Sequence, residues 1–329
     1  MKIEQYSSLE ESQANWQTLQ GSEPHSPFQS FWYQRVFAEH FSRRQNIQTL
    51  GLFEGEELVA MGSFEGVGER VLFLGTKNVS EIPGETQDVT DFGDLLYSEN
   101  GRQQAGQIWT EIQKHFQQQG LSPLQLNYVR RDSPTFQAFE QSNSATLRED
   151  AVSPFIMLPN SWEDYLSALD GKKRHELNRK FNRLEAGASF KFYSDPATEE
   201  SFGRFIELHK LSDPNKARFM TPEMESFFRD LVTCDKTDWQ VQLCSLAIDD
   251  RTVASVMAFV NNDHTFLYNS GFDPDFAQYS VGFLVKALLI KQSIEQGKST
   301  YDFLRGGERY KYDLGAKTMP LFEITQDTK

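Results

Sequence analysis

At 329 residues the chain exceeds the size at which one hydrophobic core usually stops growing, so two domains are expected. Apolar residues make up 38% and aromatics 13%, with 27 Phe, which argues against a disordered chain and for a soluble globular one. The excess of 47 acidic over 33 basic residues, a net charge of −14, argues against bulk attraction to nucleic acid or anionic membrane; any such contact needs a local basic patch.

The start, "MKIEQYSSLEESQANW", has no basic region followed by an apolar core, and stretches such as "VGFLVKALLI" are too short to span a bilayer, so a cytoplasmic location is expected. In the first half, "IQTLGLFEGEELVAMGSFEG" reads as a β-hairpin turning at Glu54, Gly55 and Glu56, "GVGER" as a further hairpin turn, and "RVLFLG" as the next strand. "TKNVSEIPGETQDVTD" has the composition of a loop, and "FGDLLYS" returns the chain to the sheet. "RQQAGQIWTEIQKHFQQQG" places Ile108, Ile112 and Phe116 on one helical stripe that ends at Gly120, and "LSPLQLNYV" follows as a strand. The first half is thus an α/β unit of residues 1–150. Residues 142–152, "SNSATLREDAV", are the expected crossing to a second unit, 151–329.

The second half opens on "SPFIMLPNSWEDYLSALDGKKRHELNRKFNRLEAG". Asn160 or Ser161 caps a helix whose buried stripe is Leu166, Leu169, Leu177, Phe181 and Leu184, with Gly171 a candidate break. "ATEESFGRFIELHKLS" is a helix, and so is "TPEMESFFRDLVTC" with Thr221 as cap and Pro222 at its first position. Strands "WQVQLCSLAID", "RTVASVMAFVN" and "HTFLYNSGF" form a meander with turns at Asp249–Asp250 and at residues 261–263. The helix "VGFLVKALLIKQSIEQ" then leads to the strand "STYDFLRG", which predicts a crossover between parallel neighbours, and "TMPLFEIT" is the last strand.

That order puts "DPDFAQYSVGF" between a strand's carboxyl end and a helix's amino end, where free backbone N–H groups and the helix dipole favour an anion such as a pyrophosphate. Gly282 is expected to let the backbone approach it. Just downstream, "YDFLRGGERYKYDLGA" concentrates Asp302, Arg305, Glu308, Arg309, Tyr310 and Lys311 at a strand's end. Cys234 and Cys244 are too few for a disulfide framework or zinc site, and the six His lack ligand spacing, so no metal is expected.

These segments, with "PFQSFWYQRVFAEHF", "DVTDFGDLLYS" and "LPNSWEDYLSALDGKKRHELNRKFNRLE", make most of the chain similar to the CelD-like acetyltransferases, a branch of the GNAT superfamily related to the Fem peptidyl transferases. The most specific part is "DFLRGGERYKYDLG". The resemblance implies an α/β fold of two tandem GNAT-like domains, each a mixed sheet flanked by helices. It further implies an acyltransferase that moves an acyl, in the first place acetyl, group from a coenzyme A thioester to an amine, in a polysaccharide or surface-glycan pathway. The expected partners are a small-molecule or glycan-precursor amine and, as an alternative donor, an acyl carrier protein.

Residue by residue, the resemblance sets the donor pyrophosphate on the N–H groups of Val281, Gly282, Phe283 and Leu284. Gln278 fits the general GNAT pattern, and Tyr279, Ser280 and Gly282 fit the branch's Tyr-Ser-Pro-Gly form, but Val281 and Phe283 stand where small residues are usual. The oxyanion would meet backbone N–H groups around Tyr268, Asn269 and Ser270. Asp302 or Glu308 would act as base, with Asp302 alternatively holding Arg305; Tyr310 would protonate the thiolate and Lys311 stabilise negative charge or a phosphate.

Blander readings stand beside these. Asp302 and Arg305 can be an ion pair fixing the strand's exit, Tyr310 and Tyr312 a wedge of the loop into the core, and "SVGF" an ordinary buried helix start. "GKKRHELNRKFNR" is a solvated helix face or a patch for an anionic substrate or RNA end. His175 and His209 are unassigned. Two other functions stay open: a Fem-like transferase using aminoacyl-tRNA, and a non-catalytic scaffold or ligand-binding protein with a donor groove blocked by Val281 and Phe283.

Overall fold

A computed structural model describes residues 1–22, 25–41, 46–76, 88–142, 145–195, 198–236 and 238–326. Most of the loop expected at residues 76–91 lies outside them. The chain divides into two compact units, Met1–Val152 with Met319–Lys329, and Ser153–Thr318.

The first unit runs through β1 (Lys2–Tyr6), α1 (Gln13–Ser22), α2 (Phe31–Phe41), β2 (Asn46–Glu54), β3 (Glu57–Val67), β4 (Arg70–Phe73), β5 (Leu96–Tyr97), α3 (Glu99–Gln103), α4 (Ala105–Gln118), β6 (Leu124–Arg130) and α5 (Pro134–Ser142). Strands β1 to β4 pair antiparallel in sequence order. The hairpin turns at Gly55 and Gly68 take φ of 62° and 60°, the left-handed region glycine enters without a Cβ penalty. The stripe Ile108, Ile112 and Phe116 of α4 is fully buried, and the helix stops at Gly120 with φ 74°. After this crossover β6 lies parallel to β4.

The second unit contains the end of β7 (Thr146–Met157), then α6 (Trp162–Ala168), α7 (Gly171–Gly187), β8 (Phe190–Asp195), α8 (Glu199–Ser212), α9 (Pro214–Phe219), α10 (Pro222–Thr233), β9 (Gln240–Ile248), β10 (Arg251–Val260), β11 (His264–Phe272), α11 (Val281–Glu295), β12 (Thr300–Asp302), α12 (Arg309–Asp313) and the start of β13 (Lys317–Gln326). Strands β8 to β11 form the antiparallel meander, β11 and β12 pair parallel across α11, and β12 pairs antiparallel with residues 155–157 of β7. The crossover between parallel neighbours is as expected. Helix α11 is apolar nearly all round because it is covered on most sides: Val281, Leu284, Val285, Ala287, Leu289, Ile290 and Ile294 are all buried in this unit's core. Asp249 and Asp250 both take positive φ at the β9–β10 turn, which lets the hairpin follow the strands' twist.

Helix α7 begins its own element at Gly171, the candidate break, capped by Asp170, whose carboxylate accepts from Lys172 N–H. Three features differ from the sequence reading. Residues 146–152 of the expected crossing belong to the strand β7, because its apolar positions cluster at one end and periodicity alone does not reveal it. β1, β8, α1, α2, α5, α9 and α12 carry weak local signals and were not anticipated. Finally β13, grouped by sequence with the second half, pairs antiparallel with β6 of the first unit. Among the described residues no helix is long and apolar enough to cross a membrane, and Cys244 is buried and Cys234 half-buried, not joined in a disulfide.

Candidate active site

The parallel pairing of β11 with β12 stops at Phe266 opposite Asp302, yet β11 continues on β10 to Phe272. Within that continuation Met257 pairs Asn269 while Ala258 pairs Leu267, so Tyr268 is the extra residue of a β-bulge. A bulge interrupts the ladder locally. Tyr268, Asn269 and Ser270, expected to meet an oxyanion, lie at this irregularity of the sheet. The Tyr268 ring is occupied elsewhere, stacked on Phe228 of α10 at 5.4 Å and tilted on Phe259 at 4.6 Å.

Asn269 is held from two sides: its Oδ1 accepts from Ser270 N–H at 3.1 Å and from His209 Nε2 at 2.9 Å. His209, on α8, is buried, and its Nδ1 has no partner among the described residues. Burial first, then Lys216, pushes its pKa down to about 4 despite the Asn269 bond. A depressed imidazole is stabilising when neutral, above the unfolded value near 6.5, and that contribution is lost as pH falls through 6.5 toward 4. The melting temperature is expected to fall over that window, and less so in His209→Gln; equal acid sensitivity of the two proteins would refute the assignment.

The turn after β11 is pinned on three points. Asp273 caps it and takes Arg251 Nη2 at 2.5 Å, Tyr279 Oη donates to Gly187 O, and Arg183 Nη1 donates to the carbonyl of Gln278 at 3.1 Å. Ser280 then adopts the left-handed conformation (φ 56°) that opens α11. Its hydroxyl accepts from Lys180 Nζ at 3.2 Å, and its carbonyl accepts from both Phe283 and Leu284 N–H. Those two amides, expected on a pyrophosphate, are thus occupied within the helix start. Val281 and Gly282 carry the first amides, which like those of any helix lack an intrahelical acceptor.

Two further expectations change here. A Cβ on Gly282 would lie 2.6 Å from the Phe272 ring, so this glycine is set by helix-to-strand packing. Val281, the bulky departure from the pattern, is fully buried in the core, and Phe283 is half-buried under Lys180 Nζ at 5.3 Å. The basic run on α7 is also more than a solvated face: Lys180 and Arg183 both reach the turn that opens α11. Beside them Lys172, Lys173, Lys180, Arg309, Phe283 and two acidic residues line a cleft of ≈ 400 Å³.

The charged segment after β12 is organised by Lys311. Its ammonium, 2% exposed, donates to the carbonyls of Leu304 at 3.1 Å, Arg305 at 2.9 Å and Gly306 at 2.9 Å, and pairs with the exposed Glu308 at 2.9 Å. This clamps a turn in which Leu304 and Gly306 have φ of 56° and 113°. Asp302 closes the other side: 1% exposed, its Oδ1 accepts from Ser153 Oγ and from Leu304 N–H, each at 2.7 Å. Arg305 contributes its carbonyl to the clamp. Tyr310 is largely buried, and burial together with Glu308 pushes its phenol above the usual range, so it stays protonated.

Two site residues escaped the sequence reading. Lys216, on α9, donates to Ser270 O at 2.5 Å, and its pKa is lowered by burial. Lys286, on α11, is 6% exposed, donates to Gly282 O at 2.5 Å and lies 4.8 Å from the Tyr310 ring centroid. Its signal was present as a lone charge inside "VGFLVKALLI".

Residues 171–312 match the acetyltransferase (GNAT) domain family. The second unit, with its meander, crossover helix and parallel pair of β11 and β12, has the GNAT fold. FemX is similar over 100% of this chain and 98% of its own at 9% identity and a TM-score of 0.67. The C-terminal domain of a putative lysylphosphatidylglycerol synthetase from Agrobacterium fabrum is similar over 98% and 93% at 10% identity and a TM-score of 0.62. A tandem GNAT protein from the clavulanic acid biosynthesis pathway is similar over 100% of both chains at 11% identity and a TM-score of 0.52. At these identities the likeness is one of fold, two tandem GNAT-like α/β units. No curated protein matches the sequence.

Proposed function

We propose that the protein is a GNAT-type N-acyltransferase whose donor is an acyl-coenzyme A thioester, in the first place acetyl-CoA. The observation that carries this reading is that β12 stops pairing with β11 at Phe266 and Asp302 while β11 runs on to Phe272 and into a turn whose following helix start is attended by two cations. An anion at that start would be met by the Val281 and Gly282 amides, Lys180 and Arg183. The thioester would then reach the bulge at Tyr268, where backbone N–H groups of β11 would meet a developing oxyanion. Tyr310, which keeps its proton, would in this reading hydrogen-bond the leaving sulfur. Lys311 and Asp302 act in this reading by holding the turn that carries Tyr310. The narrower likeness to CelD-like enzymes, and with it a polysaccharide or surface-glycan amine as acceptor, rests on "YSVG" and "DFLRGGERYKYDLG".

Calorimetry with coenzyme A, acetyl-CoA and a long-chain acyl-CoA tests the donor. Lys180→Ala with Arg183→Ala is the suitable variant, because a large residue at Gly282 would displace Phe272 whatever binds. Saturable binding weakened about tenfold, which corresponds to about 1.4 kcal/mol, with an unchanged melting temperature, is the expected result. No binding of any of the three by the unaltered protein would sink the coenzyme A donor.

One observation favours a second reading, an aminoacyl-tRNA donor: the cationic cleft of Lys172, Lys173, Lys180 and Arg309 extends the helix-start site along α7. Its mark would be an affinity for RNA that falls steeply with added salt, roughly in proportion to the number of phosphates neutralised.

A further inference from the structure

We infer that Lys286 is the proton carrier of this acyl transfer, taking a proton from the attacking amine and returning it to the departing thiol. The inference rests on the acyl-transfer reading above. It starts from what the other ionisable groups are already doing. Asp302 is enclosed and spends an oxygen on Ser153 and Leu304. Lys311 is already engaged by three carbonyls and the Glu308 carboxylate. Glu308 is mostly exposed and neutralises Lys311. Tyr310 keeps its proton and so is not a base. His209 is neutral, but with a proton affinity pushed down to about pH 4 it is a poor acceptor near neutrality.

Lys286 differs from Lys311 in a way that decides its chemistry. On α11 its side chain turns back toward the helix start, as long helical side chains do, and finds one acceptor among the described residues, Gly282 O. An enclosed ammonium with a single acceptor is poorly solvated and releases its proton readily. The charged groups facing it reinforce this. Lys216 from α9 and Lys311 from the segment after β12 disfavour the cation, while Glu308 alone favours it and the Tyr310 ring lies against it. Burial first, then Lys216, brings its pKa down to about 7. A neutral amine keeps a lone pair after donating to Gly282 O, which is what a base requires, at a proton affinity matched to neutral pH.

The step balances without a further reactant. The acceptor amine attacks the thioester carbonyl carbon, and as the N–C bond forms one N–H proton passes to Lys286 Nζ. The C–S bond breaks, and the thiolate takes that proton from the Lys286 ammonium. An amide and a free thiol leave, and Lys286 is neutral again.

The test uses the full chain with acetyl-CoA and, as amine probe, glucosamine, alongside NMR titration of the labelled lysine side chains assigned through Lys286→Met. One lysine is expected to titrate near neutrality and to vanish from the spectrum of that variant. Lys286→Met and Lys286→Arg are each expected to lose about 10²- to 10⁴-fold in kcat, as for other general bases. Acetyl-CoA affinity should stay within about twofold, well under the tenfold that 1.4 kcal/mol represents, and the limb of the pH profile near neutrality should disappear. Arginine keeps the charge but cannot relay a proton, so an active Lys286→Arg would overturn the proposal. So would a Lys286 that holds its proton to about pH 9, near ordinary lysine behaviour, and this outcome is readable even if glucosamine is not accepted. Failure of the unaltered protein to bind acetyl-CoA would instead overturn the acyl-CoA reading itself.

Discussion

Lys311→Met is expected to lower stability by about 2–4 kcal/mol, because three carbonyls of the turn at residues 304–306 lose their charged donor together. Methionine matches the stem of lysine but donates nothing. The turn also carries a non-glycine residue in the left-handed region, Leu304, which such a clamp helps to hold. Urea unfolding should show a lower midpoint at an unchanged slope, the mark of lost stability without a change in compactness. Transfer activity is expected to fall with it, since the same turn leads into α12 and Tyr310. A Lys311→Met protein as stable as the parent but inactive would return this lysine to a direct role on substrate charge.

Gly271→Ala is expected to be comparably damaging, through a steric conflict with no polar group lost. A Cβ there would stand 2.2 Å from His209 N, 2.4 Å from Leu208 C and 2.5 Å from His209 Cα, all backbone atoms of α8. Backbone cannot rotate aside as a side chain can, and β11 is tied to β10 through the pairing of Gly271 with Ser255. The helix must therefore move off the strand, breaking the His209–Asn269 bond at the bulge. Overpacking of this kind costs about 1–3 kcal/mol and occasionally more, and donor binding should be lost with it. Gly203→Ala supplies the control on the same helix: nothing lies within 4 Å of its Cβ, and removing an exposed helical glycine should stabilise by about 0.5–1 kcal/mol. If both variants melt together, α8 does not rest on β11 as described.

The candidate site was legible in part. The helix start at Ser280–Gly282 and the charged segment from Asp302 to Lys311 were located from local order alone, because strand, turn and helix signals fell in an unambiguous sequence. The roles within them were less so. Lys311 looked like a group for substrate charge, and only the folded turn shows its three carbonyl partners. Gly282 suggested a close approach to phosphate, whereas the ring it accommodates belongs to Phe272, ten residues earlier on a different element. His209 and Lys216 had no spacing pattern to betray them, since each meets its partner on β11 across more than fifty residues.

The residues by themselves determined the meander of β9, β10 and β11, the crossover through α11, and hence the parallel placement of β12. Those follow from alternation, turn chemistry and a helix period, all of which act over a few residues. What needed the tertiary structure was every feature that depends on which distant groups become neighbours. The pairing of β13 with β6 depends on a partner almost two hundred residues away. The bulge at Tyr268 depends on the register of β11 against β10. The contrast between Lys286 and Lys311, two buried lysines of identical chemistry, arises because one ammonium meets three carbonyls and the other meets one. Solvation by the surrounding fold, which no local pattern encodes, sets the two ammonium groups apart.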